Sequence, residues 1–297
     1  MTSKAQLDEL ILEAPKGRSL LQNALSRLLA NKAAVGAMIV LCTLICMAIF
    51  GPYLRPYAID EVFWDAFQAP PSLESGHWFG TDANGRDLFV RVMYGMRISL
   101  LVGLCATTVS LLIGVTYGAV AGYVGGRTDN IMMRIVDVLY SMPFMFFVIL
   151  LMVFFGRNIY LMFAAIGAIE WLTMARIVRG QALSLRHKEF VTAAEALGVS
   201  GGSIVRRHIV PNTLGTVMVY VTLTIPVVIL TESFLSFLGL GVQEPMTSLG
   251  VLISEGAKQM ESSPWTLLFP ASFLAVMLFC FNYIGDGLRD AFDPKDR

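Results

Sequence analysis

Charge is what this chain has least of. Only 15% of its 297 residues are Asp, Glu, Lys or Arg, and 56% are hydrophobic. A soluble domain carries about a quarter charged residues. With a mean hydropathy of +0.66, the chain reads as an integral membrane protein. Its 22 basic and 22 acidic residues cancel, so there is no surplus of positive charge of the kind that nucleic-acid binding needs. Cysteine is scarce too. Cys42, Cys46, Cys105 and Cys280 all fall inside hydrophobic runs. No external pair is left for a disulfide, and the four read as small packing side chains. Cys42 and Cys46 share a helix face, but two thiolates without further ligands make a poor metal site. His77, His187 and His208 all lie outside the runs, which argues against a histidine-based intramembrane hydrolase. The phosphate loop G-x-x-x-x-G-K-[ST] is absent, so nucleotide binding by that device is excluded. No catalytic residue, cofactor or metal ligand is expected, and the chain is not expected to be an enzyme.

What is present is a set of six apolar runs, each near the roughly 20 residues that a bilayer needs. They cover residues 33–51, 98–123, 135–155, 159–175, 214–238 and 265–285. The predicted fold class is therefore all-α, a six-span helical bundle. With the N-terminus inside, the external segments hold Arg55, Arg86, Arg91, Arg97, Arg157 and Lys258, and all the other Lys and Arg fall inside. That bias places both termini of the multi-pass chain in the cytoplasm. Lys4, Asp8, Glu9, Glu13, Lys16 and Arg18 precede any apolar core, and no small-residue cleavage site follows the first span, so a signal peptide is not expected. Residues 18–32 carry Leu20, Leu21, Leu25, Leu28 and Leu29 at helical spacing, which predicts an amphipathic helix lying on membrane lipid. The expected organisation is a cytoplasmic segment 1–32, a first span 33–51, an external loop 52–97, a membrane core 98–285 and a cytoplasmic tail 286–297.

Inside the spans, Gly114, Gly118 and Gly122 form a small-xxx-small row that lets another helix approach closely. Pro143 and Pro226 interrupt the third and fifth runs and predict kinks there. Glu170 lies roughly 17 Å along the fourth helix at 1.5 Å per residue. A lone carboxylate at that depth is expensive, so it should face a polar cavity, pair with a neighbour or be protonated. Glu232 stands near the external end of the fifth run, within expected reach of interfacial water. Glu170 and Glu232 are the candidates for a transport path or gate. Asp286, Arg289 and Asp290 read as a solvated helix end.

Two connections are long enough to carry function. The external one contains Trp64, Trp78 and Pro70-Pro71, and a small folded cap is expected there. Asp82, Asn84 and Asp87 around Gly85 suggest a calcium loop only faintly, without the distal Glu that an EF-hand needs. With the external stretch 239–264, where Glu244 lies, this loop is expected to form a mouth on the outer side. The cytoplasmic connection, residues 181–213, reads as a short helix, a glycine break, a second short helix and a proline stop. Ala193, Ala194 and Ala196 give a small, flat helix surface, Gly198 can end that helix, and Pro211 marks where the next begins. Such a knob suits docking into a groove on a soluble partner, and its shape equally fits an ordinary helical connection.

The segment Phe79-Gly-Thr-Asp-Ala-Asn-Gly-Arg-Asp87, followed by Gly95-Met-Arg-Ile-Ser99, resembles the stretch before the second span in permeases of dipeptide and oligopeptide ABC importers. Ala175-Arg-Ile-Val-Arg-Gly180, Arg207-His-Ile-Val-Pro-Asn212, Glu232-Ser-Phe-Leu-Ser-Phe-Leu-Gly-Leu-Gly241 and the ending from Asn282 to Arg297 resemble that family as well. The match is closest to the C-type permease subunit of the oligopeptide importer. Thr192 stands where the family's coupling motif usually begins with Glu, and Leu249 where a Trp is more usual. The resemblance implies the type I ABC importer permease fold with a cytoplasmic coupling helix, and uptake of oligopeptides by alternating access. It implies as partners a second, related permease, two cytoplasmic ATPases that hydrolyse the ATP, and an external peptide-binding protein. It also assigns coupling to the ATPase to Thr192, Ala193, Ala194, Gly198, Arg207, His208 and Pro211. Dipeptides, antimicrobial peptides or another small substrate remain alternative cargoes, and an ion-coupled secondary transporter using Glu170 is the rival class.

Overall fold

The computed structural model describes residues 20–156 and 158–292. The acidic and basic residues before Leu20, Arg157 and the last five residues of the expected tail lie outside the described part. Helix α1 spans Leu20–Ala30 and α2 spans Lys32–Phe50. Asn31 separates them and caps α2, its side-chain oxygen accepting the N–H groups of Ala33 and Ala34 at 3.1 and 3.2 Å. Leu25, Leu28 and Leu29 of α1 do not share one packed face. Leu28 and Ala24 bury against Ala34 and Ala291, while Leu25 and Leu29 stand 57% and 58% exposed.

Helix α3 runs Leu88–Val124, 37 residues, so it starts ten residues before the apolar run predicted at 98. Asp87 sets that start by accepting the N–H of Val90 at 2.9 Å. The preceding connection is thus residues 52–87, and Arg91 and Arg97 are helical. Gly125, at φ +67°, ends α3. The third run is broken. Helix α4 spans Gly126–Ser141 and α5 spans Phe144–Phe155, bent 76° from each other. Pro143 has no N–H to give and holds Met142 extended at ψ 140°, which ends α4 outright where a kink was expected.

Asn158 caps α6, Ile159–Arg186, which continues eleven residues past the apolar run. After α7, Glu189–Ala196, a single helix α8 covers Gly201–Phe237. The expected proline stop is not there. Residues Val205–Ile209 form a π turn in which the Val210 N–H reaches the Val205 carbonyl, and the helix passes through Pro211 unbroken. Pro226 likewise sits inside α8 without ending it. Helix α9, Leu249–Ala257, starts on a Ser248 cap, and α10 spans Trp265–Phe292. Asp286, Arg289 and Asp290 are exposed on its last turns.

Five of these helices are long and apolar enough to cross a membrane, and six spans result if the bent α4–α5 pair counts as one. The glycine row does what its spacing predicts. A Cβ at Gly114 would sit 2.6 Å from the Met174 side chain, at Gly118 2.4 Å from the Ala175 carbonyl, and at Gly122 2.6 Å from the Arg179 carbonyl. Helices α3 and α6 therefore touch backbone to backbone. One apolar cluster joins α2, α3, α9 and α10, a second joins α3, α5, α6 and α8, and a third closes the end of the bundle under α7.

Candidate functional site

At one end of the bundle, α7 is held as a rigid projection. Its C-terminus is a Schellman turn. Gly198, at φ +75°, donates to the Glu195 carbonyl at 2.9 Å, and Val199 donates to the Ala194 carbonyl at 3.1 Å. Val191 and Ala194 bury against Val178, Ala182, Ile204 and Ile209. The Tyr123 hydroxyl, at the end of α3, donates to Glu195 at 3.1 Å. The alanine surface is thereby split: Ala193 and Ala196 face outward, while Ala194 is 7% exposed and packs inward. Thr192 is exposed, its hydroxyl folded back onto the Glu189 carbonyl at 2.9 Å. Arg207 and Pro211 are exposed, and His208 is half-buried with its ring 6.2 Å from that of Phe190. The outward face also presents Leu197, 83% exposed, with Phe190 and Val199 beside it. Sequence reasoning passed over Leu197, though a leucine just before a helix-ending glycine, and so past the packed turn, was the available signal.

The two candidate acids are not brought together. Glu170 lines a cavity of about 610 Å³, the wedge that the α4–α5 bend opens against α6 and α8. Its walls include Tyr140, Met142, Phe144, Phe147, Tyr220 and Val227. Glu232 does not reach interfacial water as expected. It is 0% exposed, accepting hydrogen bonds from Ser236 at 2.6 Å and Ser99 at 3.1 Å. The same Ser99 oxygen accepts the Leu249 N–H at 3.2 Å, and Ser248 caps α9 close to Ser236. Glu232 is thus the centre of a serine knot that pins α9 to α3 and α8.

At the other end of the molecule, residues 52–87 fold as a cap. Asp82 is its hub. It accepts the N–H groups of Asn84 and Arg86 at 2.8 and 2.9 Å, the Arg86 Nε–H at 2.8 Å, and a hydrogen bond from Arg91. With its lone pairs taken by donors, Asp82 has nothing left for calcium. Asp87 is spent on the α3 cap and on His77 at 2.8 Å. No cluster of three or more His, Cys, Asp or Glu that could hold a metal occurs among the described residues. Burial works against the Arg86 charge, but its hydrogen bonds to Glu244 and Asp82 hold its pKa above the ordinary arginine value. Arg86 to Glu244 at 2.8 Å, Arg91 to Glu255 at 2.9 Å, and the Trp265 Nε1–H to the Thr81 carbonyl at 3.3 Å tie the cap to residues 239–265. The two long connections expected to form one mouth therefore share one surface. Trp64 stands out from it, 77% exposed, whereas Trp78 packs on the Phe89 ring at 5.0 Å.

A bundle of five long apolar helices and one bent pair, with a long capped connection at one end and a compact helical projection at the other, is the build of a membrane permease. The chain belongs to the family of inner membrane components of binding-protein-dependent transport systems, whose family model matches residues 114–297. A second model, the N-terminal transmembrane domain of oligopeptide transport permease C, matches residues 19–71. The oligopeptide transport system permease protein OppC of Haemophilus influenzae is 57% identical over 292 residues, covering 98% of this chain and 93% of that protein. The protein of the same name in Escherichia coli K12 is 58% identical over 282 residues, 95% and 93% of the two chains. The dipeptide transport system permease protein DppC of Bacillus subtilis is 47% identical over 277 residues, 93% and 86% of the two chains. The fold is that of the type I ABC permeases, and the protein is a multi-pass inner membrane protein.

Proposed function

We propose that this chain is the C-type permease subunit of an ATP-driven importer that takes up oligopeptides by alternating access. The observation that carries the reading is near-full-length identity to oligopeptide transport permeases, 57% over 98% of the chain. In this reading the other subunits are a second, related permease, two cytoplasmic ATPases that hydrolyse the ATP, and an external peptide-binding protein. The exposed face of α7, Thr192, Ala193, Ala196 and Leu197, docks on an ATPase, with Gly198 holding the turn and Arg207, His208 and Pro211 at the rim. Both termini and α7 lie in the cytoplasm, α1 rests on membrane lipid through Leu25 and Leu29, and the cap with residues 239–264 meets the binding protein.

A dipeptide cargo is the second reading, favoured by the 47% identity to a dipeptide permease. Uptake separates the two. Cells lacking their own peptide importers, given this chain and its partners, should accumulate labelled tri- to pentapeptides. Accumulation should stop on ATP depletion and survive collapse of the ion gradients. Uptake of dipeptides alone would favour the second reading, and dependence on an ion gradient would return the protein to the secondary-transporter class.

A further inference from the structure

An importer that accepts peptides of many sequences must hold what all of them share. Side chains vary from one cargo to the next, but a free peptide always carries a cationic α-amino group. The wedge between α5, α6 and α8 has a wall suited to that group. Its volume, about 610 Å³, falls within the roughly 300–1,000 Å³ of small-ligand sites. Its lining is mostly apolar and aromatic, and Glu170 is its one ionisable carboxyl group. Glu170 is half-buried and makes no hydrogen bond or ion pair with any described residue. The other polar side chains of the wall, Tyr140, Thr173, Tyr220 and Thr224, are uncharged hydroxyls, and the nearby Arg176 lies outside the wall. The Thr224 hydroxyl donates to the Tyr220 carbonyl at 2.7 Å, and the Arg176 guanidinium pairs with Asp137 at 2.9 Å while lying over the Tyr140 ring. A single carboxylate among apolar walls balances a single positive charge. It offers too few oxygens for a divalent cation, and it has no donor to spare for an anion.

We infer that Glu170 receives the α-amino group of the peptide in transit through this wedge, and so acts as a sequence-independent specificity residue. The inference rests on the peptide-importer reading above. The aromatic wall, Tyr140, Phe144, Phe147 and Tyr220, then takes side chains of any kind by shape and apolar contact. The bend at Met142–Pro143 matters because it places Tyr140, Met142 and Phe144 in the wall of the same cavity as the carboxylate. Charge-assisted contact with an ammonium in a partly dry site discriminates strongly against an analogue that lacks the charge.

The test uses the complete importer in vesicles, with the binding protein saturated so that its own preference does not enter. The probes are a tripeptide with a free amine and the same tripeptide N-acetylated. Wild-type importer should carry the free-amine peptide about tenfold faster, the scale of one lost charge-assisted hydrogen bond. Glu170→Gln should bring the two rates together by slowing the free-amine peptide, and Glu170→Asp should restore part of the preference. Equal slowing of both peptides by Glu170→Gln would show that the carboxylate serves packing or a neighbouring subunit, and would overturn the inference. So would wild-type importer carrying both peptides at the same rate, or Glu170→Gln keeping the full preference. Transport of neither peptide by wild type would instead sink the peptide-importer reading, and the inference with it.

Discussion

Arg91 is 1% exposed, and its guanidinium is matched by Asp82 and by Glu255 at 2.9 Å. Removing one partner of such a buried network leaves charges without compensation, which costs about 3–5 kcal/mol. Arg91→Met should therefore lower the melting temperature of the purified protein sharply and loosen the cap from α9. A variant that melts with wild type would show that Asp82 is satisfied by Arg86 alone. Gly118 gives a second test at this scale. Its Cβ would approach the Ala175 carbonyl to 2.4 Å, whereas a Cβ on Gly36 would meet nothing within 4 Å. Because the obstacle is backbone, Gly118→Val should cost at least the roughly 1–3 kcal/mol of overpacking, and Gly36→Ala should be neutral or slightly stabilising. Thermal melting of the two in the same detergent compares them directly, and equal behaviour would mean that α3 and α6 can separate cheaply.

Helix α7 shows how far the sequence reached and where it stopped. The glycine that ends it, the alanines along it and its place between two spans were all legible, because capping and composition are local properties. Which alanine faces out was not legible, since that depends on how Val191 and Ala194 pack against Val178 and Ala182 of α6 and against Ile204 and Ile209 of α8. The π turn at 205–209 was invisible for the same reason, and so Pro211 was read as a stop. Glu232 was misread because Ser99, which closes over it together with the local Ser236, is distant in sequence. The corrected geometry changes the experiment on docking. Ala194→Arg would force a guanidinium into the packed base of the projection and destabilise it. Leu197→Asp and Ala193→Arg alter only the exposed face. If that face docks on the ATPase, these two variants should uncouple ATP hydrolysis from uptake with melting temperature and expression unchanged, while Ala194→Arg should lower both. Full uptake by Leu197→Asp at normal expression would remove the docking assignment.

Across the whole molecule, α3 is the element that joins the two ends. Its 37 residues span roughly 55 Å at 1.5 Å per residue, more than the approximately 30 Å of a hydrocarbon core. Leu88 begins it under the cap, and Tyr123 ends it against Glu195 of α7, so cap and projection must lie on opposite sides of any bilayer that the bundle crosses. The charge distribution decides which side is which. Arg186, Lys188, Arg206 and Arg207 flank α7, and Arg127, Arg134, Arg176 and Arg179 lie on α4 and the second half of α6, and basic residues gather on the cytoplasmic face. On that ground the orientation we propose has α7 cytoplasmic and the cap external. Cysteines placed at Leu73, 82% exposed on the cap, and at Leu197 on the projection report the two sides separately in a background with the native cysteines replaced. A membrane-impermeant thiol reagent should label Leu73→Cys in right-side-out vesicles and Leu197→Cys only in inverted ones. The reverse pattern would invert the topology, turning the cap toward the ATPases. Labelling of both from one side would contradict the span count itself, because α3 would then fail to cross.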